Sequence, residues 1–348
     1  MKLFNSYKKG VNLGGWLSQF QSDKANHYNS FIVREDIMRI AGWGADHVRL
    51  PVDFEIIQED SNPYAMREEG LRYIDNCIKW CQEMNLNVVL DLHKGPGQIY
   101  GYDKTPNPIL SEEENINRYN IIWLTLAERY KSINDQLVFE LLNEITDATG
   151  YLWNVFCKNA VSAIRKVDET RTIIVGSNDA NSIFMLKDLE IIEDENVVYN
   201  FHYYDPLVFT HQLAHFSQDM VEYNHKILYP GQINDLGYFC ENKPHYKERL
   251  WRYIGEKNNH ELMCEYFENA VNFLKYNKKQ LYCGEFGVIN NTPSESAVCW
   301  IRDLTQILDK YEIGHAYWTY KEMDFGLVNI NGEVVDEKLM KQLFPRKK

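Results

Sequence analysis

Eight short runs rich in β-branched and aromatic residues alternate with longer amphipathic stretches along almost the whole of this 348-residue chain, which leaves few folds open to it. The runs are GVNLGG near residue 11, DHVRL at 46–50, NVVLDLH at 87–93 and LVFELLNE at 137–144, then TIIVG at 172–176, NVVYNFHYY at 196–204, QLYCGEFG at 280–287 and IGHAYW at 313–318. Between them, stretches such as EEGLRYIDNCIKWCQEMN and SAVCWIRDLTQILDKYE repeat apolar residues every three or four positions, the spacing of one helix face. Strand–helix–strand order implies parallel pairing, because parallel neighbours need a long crossover. Eight such units predict an α/β fold of the closed (β/α)8 barrel type rather than an open doubly wound sheet, and such barrels commonly pass ~250 residues as one domain. One domain over 1–348 is therefore expected.

One connection breaks the rhythm. Between the sixth and seventh runs the chain is far longer than one helix and two short loops require. The segment 205–262 carries five of the ten histidines and nine aromatic residues, among them Tyr223, Trp251 and Tyr253. A loop that follows a strand emerges at the C-terminal mouth of a barrel, so 205–262 is expected to form an inserted cap between the sixth strand and its helix.

A formal net charge of −13 opposes phosphate backbones and anionic membranes, so neither nucleic acid nor membrane is an expected partner. No apolar run of signal length occupies the first twenty residues and no stretch can span a bilayer; the chain as given is expected in the cytoplasm, or outside the cell as a trimmed mature form. Seven irregularly spaced cysteines argue against a disulfide framework. Cys77 and Cys81 share a helix face and lack the second ligand pair a structural zinc needs, so packing is expected of them.

Polar residues gather where the apolar runs end. Arg49 closes the second, His93 follows the third, Asn143 and Glu144 close the fourth, His202 and Tyr204 the sixth, Glu285 the seventh and Trp318 the eighth. In a barrel these ends converge on one mouth. Two facing carboxyl groups there are what glycosidic cleavage needs: one protonates the departing oxygen, and the other attacks the anomeric carbon or activates water.

LLNE, GEFG, the HYY after the sixth run and the late tryptophan resemble glycoside hydrolase family 5, and GVNLGGW, LDLHKGPG, YNFHYYDP and KEMDF extend the resemblance over nearly the whole chain. It is nearest to the clostridial endoglucanase C type of β-glucanase. The resemblance implies Glu144 as acid and then base, Glu285 as nucleophile, and retention at the anomeric carbon. It makes Arg49, His93, Asn143, His202, Tyr204 and Trp318 the substrate-binding and supporting residues. It implies an endo-acting enzyme on β-1,4 or mixed β-1,3/1,4 glucan, with no cofactor or metal, working as a monomer on a β-glucan or oligosaccharide partner. The same mechanism on mannan, xyloglucan, cello-oligosaccharides or β-1,3-glucan is the alternative.

Other readings stay open on residues alone. His47, Asp91, His93 and His202 offer ligand types for a metal-dependent hydrolase, and a sugar-binding protein on a retired barrel is a third class. Trp16 suits packing or sugar contact, while Asn178, Lys321 and Glu322 are candidates for further sugar sites. Phe20 stands where fungal exo-β-1,3-glucanases of the family carry glutamate. Lys94 stands where the related endoglucanases tend to have a second histidine.

Overall fold

Strand runs made almost wholly of Val, Ile, Leu and aromatic residues are buried on both faces, the pattern of a parallel sheet covered by helices. The computed structural model describes residues 4–20, 26–101 and 106–345. Its principal strands are β1 (Lys9–Asn12), β2 (His47–Asp53), β3 (Asn87–Lys94), β4 (Leu137–Glu140), β5 (Ile173–Gly176), β6 (Val197–Tyr203), β7 (Leu281–Phe286) and β8 (Gly314–Tyr317). They close into a barrel in sequential order with every neighbouring pair parallel, β8 returning to β1. The expected (β/α)8 barrel is the observed one.

The outer layer holds α1 (Arg34–Trp43), α2 (Glu68–Glu83), α3 (Glu113–Tyr130), α4 (Tyr151–Arg165), α5 (His260–Asn277) and α6 (Ser294–Lys310), with α7 (Glu337–Leu343) packed on α6. In α2 the buried residues Leu71, Ile74, Cys77, Ile78 and Cys81 fall at three- and four-residue spacing, so that face seals the barrel. All seven cysteines are free thiols, and Cys77 and Cys81 are core residues as expected. Between β5 and β6 a short turn at Asn178–Asn181 and a 3-10 helix at Ile183–Asp188 stand in place of a long helix.

Two expectations about β4 and the long connection are refined. The β4 ladder stops at Glu140, so Asn143 and Glu144 stand in the loop just beyond the strand rather than closing it. Residues 205–259 form short helices at Leu207–Thr210, Gln218–Tyr223, Leu236–Asn242 and Lys247–Leu250, with an antiparallel pair between Gly231–Gln232 and Lys257–Asn258. This segment is tied to α6: Tyr229 donates its hydroxyl to Asp303 at 2.8 Å and its N–H to Ser296 Oγ at 3.1 Å. Among the described residues no helix is long and apolar enough to cross a membrane.

Candidate active site

Alternate residues of a strand face the same side, so the barrel interior fills in layers. Val89, Val138, Ile174, Val198, Tyr282 and Ala316 form an apolar plug with Phe4 and Tyr7. Two positions further along β3, β4 and β6 stand Asp91, Glu140 and Asn200, all fully buried. A buried carboxylate needs a partner, and Arg49 of β2 provides it.

Arg49 Nε and Nη2 donate to the two Glu140 oxygens at 2.7 and 3.0 Å, and Nη2 also lies 3.0 Å from Asp91 Oδ2. Its Nη1 donates to Asn12 Oδ1 at 3.0 Å and to Glu285 Oε1 at 2.7 Å, and Nη2 reaches Asn143 Oδ1 at 2.9 Å. The planar guanidinium presents five N–H donors in a fixed fork, so one side chain ties groups from β1, β3, β4 and β7 together. Asp91 shares that cation with two other acids; burial pushes it up to about 7, against the pull of Arg49.

Glu285 is aimed inward by a register shift in β7 between Cys283 and Glu285. At the intervening Gly284 an added Cβ would lie 2.7 Å from the Asn200 amide, which instead donates to Glu140 at 2.8 Å. The other Glu285 oxygen accepts from the Tyr204 hydroxyl at 3.0 Å. Burial, and then the charge of Glu285, raise the Tyr204 phenol well above its ordinary value and keep it a donor.

Glu144 stands in the loop after β4 with a left-handed backbone, φ 44°, a conformation that costs an L-residue roughly 1–2 kcal/mol. Its neighbour is held firmly: Asn143 N–H donates to Leu92 O at 3.0 Å, and Gln98 Nε2 donates to Asn143 O at 2.7 Å. Glu144 Oε1 lies 2.9 Å from His202 Nδ1, which is 3.7 Å from Glu285 Oε2. One oxygen of each glutamate and a nitrogen of His202 all lie within 4.8 Å of one another. Burial raises the Glu144 carboxyl above the usual range, opposed by His93, Arg49 and Arg249, although 29% of the side chain is still open to the mouth. Burial also pushes His202 down to about 4, so its imidazole is neutral near pH 7.

His93 completes the other wall. Its Nδ1 is 2.8 Å from Asp91 Oδ2, its Nε2 is 3.0 Å from Gln19 Nε2, and its ring stacks on Trp318 at 5.6 Å and 12°. All eight residues singled out from sequence thus meet at one mouth.

A family model described as cellulase, glycosyl hydrolase family 5, matches residues 5–324. The chain belongs to glycoside hydrolase family 5. This family 5 glycoside hydrolase is 41% identical to endoglucanase C of Acetivibrio thermocellus over 98% of its own length and 99% of that protein. It is 33% identical to cellodextrinase A of Ruminococcus flavefaciens, covering 88% of this chain and 83% of that one. Among solved structures, the cellulose synthase subunit Z of Clostridioides difficile superposes with a TM-score of 0.76 at 27% identity, over 97% of this chain and 99% of that one.

Several polar candidates of this family 5 enzyme serve the framework instead. Trp16 is fully buried, donates from Nε1 to Tyr28 O at 2.9 Å and stacks toward Trp80. Asn178 brackets the backbone of Asp147, and Lys321 donates to Asp36 at 2.9 Å and Phe31 O at 2.7 Å. Lys94 turns to Glu55 at 2.6 Å. The four-residue metal set does not assemble, because His47 sits at the start of β2 with Asp46 and Tyr282 at 2.6 and 2.8 Å. Sequence reasoning passed over Glu140, Asn200, Asn12, Gln19 and Asn181 as supports. A usable signal existed for two of them: Asn200 precedes His202 by two positions, and Glu140 lies two positions after the inward-facing Val138, so each shares its strand's inner face.

Proposed function

We propose that this family 5 hydrolase cleaves internal β-1,4 links of cellulose-like or mixed-linkage β-glucans with retention of configuration. The observation that carries the reading is the approach of Glu144 and Glu285 to within 4.8 Å, oxygen to oxygen. The carboxyl groups of retaining pairs stand ~5–5.5 Å apart and those of inverting pairs ~6.5–9.5 Å, to admit a water between carboxylate and sugar; one oxygen of each glutamate inside 4.8 Å supports the shorter class.

On this reading Glu285, gripped by Arg49 and Tyr204 on separate oxygens, attacks the anomeric carbon while Glu144 protonates the leaving oxygen. Glu144 then takes a proton from water, which opens the glycosyl ester. Loss of the negative charge on Glu285 in the intermediate weakens the field holding the Glu144 proton and readies it as a base. Asn143, fixed through Oδ1 by Arg49 and with its Nδ2 3.5 Å from His93 Nε2, has its second Nδ2 hydrogen for the sugar 2-hydroxyl, a bond that strengthens in the oxocarbenium-like transition state. His93 and Trp318, stacked on each other, form the floor under the cleaved sugar, and the 205–262 segment walls one side of the cleft. The endoglucanase relative supports glucan; the cellodextrinase relative supports short cello-oligosaccharides as the second reading.

Glu285→Ala is expected to abolish hydrolysis while leaving oligosaccharide binding, with azide restoring turnover and giving the inverted glycosyl azide. Near-normal turnover in that variant would remove the nucleophile role. Glu144→Ala should lose roughly 10²–10⁴-fold on unactivated leaving groups and far less on activated aryl ones. Reducing-end release from barley β-glucan, carboxymethylcellulose, mannan, laminarin and cello-oligosaccharides separates the substrates, and inactivity on every glucan would refute the proposal.

A further inference from the structure

The turn after β5 does something that neither the family match nor the proposed mechanism requires. Asp179, Ala180 and Asn181 take consecutive left-handed conformations, φ 55°, 56° and 54°, which fold the chain back beneath β6. Asn181 is fully buried there, with Nδ2 3.1 Å from His202 Nε2. The turn also touches the Glu144 loop directly, since Ala180 N–H donates to Ile145 O at 3.2 Å. At Gly176 an added Cβ would lie 2.5 Å from Asn181 Oδ1, so the absence of a side chain there makes the space that the amide occupies.

A neutral imidazole carries one N–H, and whichever nitrogen lacks it must accept. With its Nδ2 toward His202, the Asn181 amide leaves Oδ1 and one of its two N–H groups without a partner. The reversed amide would strand both N–H donors, and a buried orphan N–H is rarer than an under-satisfied carbonyl oxygen. Asn181 therefore donates to Nε2, and the imidazole hydrogen sits on Nδ1, facing Glu144 Oε1 at 2.9 Å and Glu285 Oε2 at 3.7 Å. An Nδ1–H directed at Glu144 Oε1 occupies that oxygen as an acceptor, so the acid proton of Glu144 resides on Oε2. The opposite tautomer would draw the proton onto Oε1 and into the His202 hydrogen bond.

We infer that Asn181 is a positioning residue which fixes the tautomer of His202 and thereby the oxygen of Glu144 that carries the acid proton. The inference rests on the reading of Glu144 as acid/base. Asn181→Asp keeps the side-chain shape and replaces the donor by an acceptor. Gly176→Ala displaces the amide from the other side, and serves if the first variant does not fold. The direct measurement is the 15N spectrum of histidine-labelled full-length protein, with the His202 signals assigned by their loss in His202→Gln.

In the unsubstituted protein Nδ1 is expected protonated and Nε2 bare; in Asn181→Asp, Nε2 is expected to gain a proton. Kinetically, Asn181→Asp should lower kcat roughly 10²-fold on cello-oligosaccharides, the scale of a misdirected proton transfer, with KM little changed. Its rate of glycosyl-enzyme formation from a dinitrophenyl cellobioside, which needs no acid, should stay within about threefold of the parent's, since that step draws nothing from general acid catalysis. An unchanged His202 tautomer in both variants, or equal losses on the two substrates, overturns the inference. The spectrum needs no turnover, so it stands apart from the acid/base reading, which fails separately if Glu144→Ala shows no leaving-group dependence.

Discussion

Arg49 shows how much can depend on one side chain. It is buried and faces three carboxyl groups, so exchanging it for methionine strands Glu140 and Glu285 without a cation. Arg49→Met is expected to cost roughly 3–5 kcal/mol in urea unfolding, the range for removing one partner of a buried pair, and to lose activity as well. A stability unchanged within error would show that the buried carboxyl groups do not depend on this cation. Residue by residue, the sequence was most informative where a polar group ended an apolar run, as at His93, His202 and Glu285. It was least informative for side chains whose partners come from elsewhere in the chain. Trp16, Asn178 and Lys321 also follow apolar runs, yet each braces the framework, because the atoms that claim them lie on other segments.

At the scale of elements, β7 and its bulge deliver Glu285, and the bulge depends on the bare backbone of Gly284. Gly284→Ala would press on the Asn200 amide and so on Glu140 and Arg49 behind it. Overpacking of this kind typically costs about 1–3 kcal/mol, and thermal unfolding should register it together with a fall in kcat. Retained stability and kcat would show that the strand absorbs the methyl without moving Asn200. Existence and order of the strands were readable because continuous apolar runs signal burial on two faces. The end of β4 was not readable: LLNE continues the apolar run, but the ladder stops at Glu140 and the chain then turns to present Glu144 with φ 44°. The 205–259 segment was legible as excess length alone. Its short helices are too brief to be set by periodicity and depend on contacts such as Tyr229 with Asp303.

For the molecule as a whole, buried titratable groups set the pH range of stability. Burial pushes His202 and His315 down to about 4 and His211 to about 3, so all three are neutral in the fold. Unfolded, they bind protons near 6.5, so their contribution is intact above that pH and is lost as pH falls toward 4. Asp91 acts in the opposite sense: raised to about 7, it holds a proton that the unfolded chain has already released, and its contribution fades as pH rises through 7. The melting temperature is therefore expected to fall steeply below pH 6. Asp91→Asn should gain on the parent between pH 5 and pH 8, and an equal gap at both pH values would show that Asp91 does not titrate in that window. The sequence by itself determined the barrel, its eight strands and the ring of polar residues at its mouth, because periodicity and strand ends are local properties of a chain. Only the tertiary structure decided which oxygen faces which nitrogen: the 4.8 Å approach of Glu144, His202 and Glu285, the shared cation of Arg49 and the amide of Asn181 under His202 all depend on separations that the sequence does not encode one residue at a time.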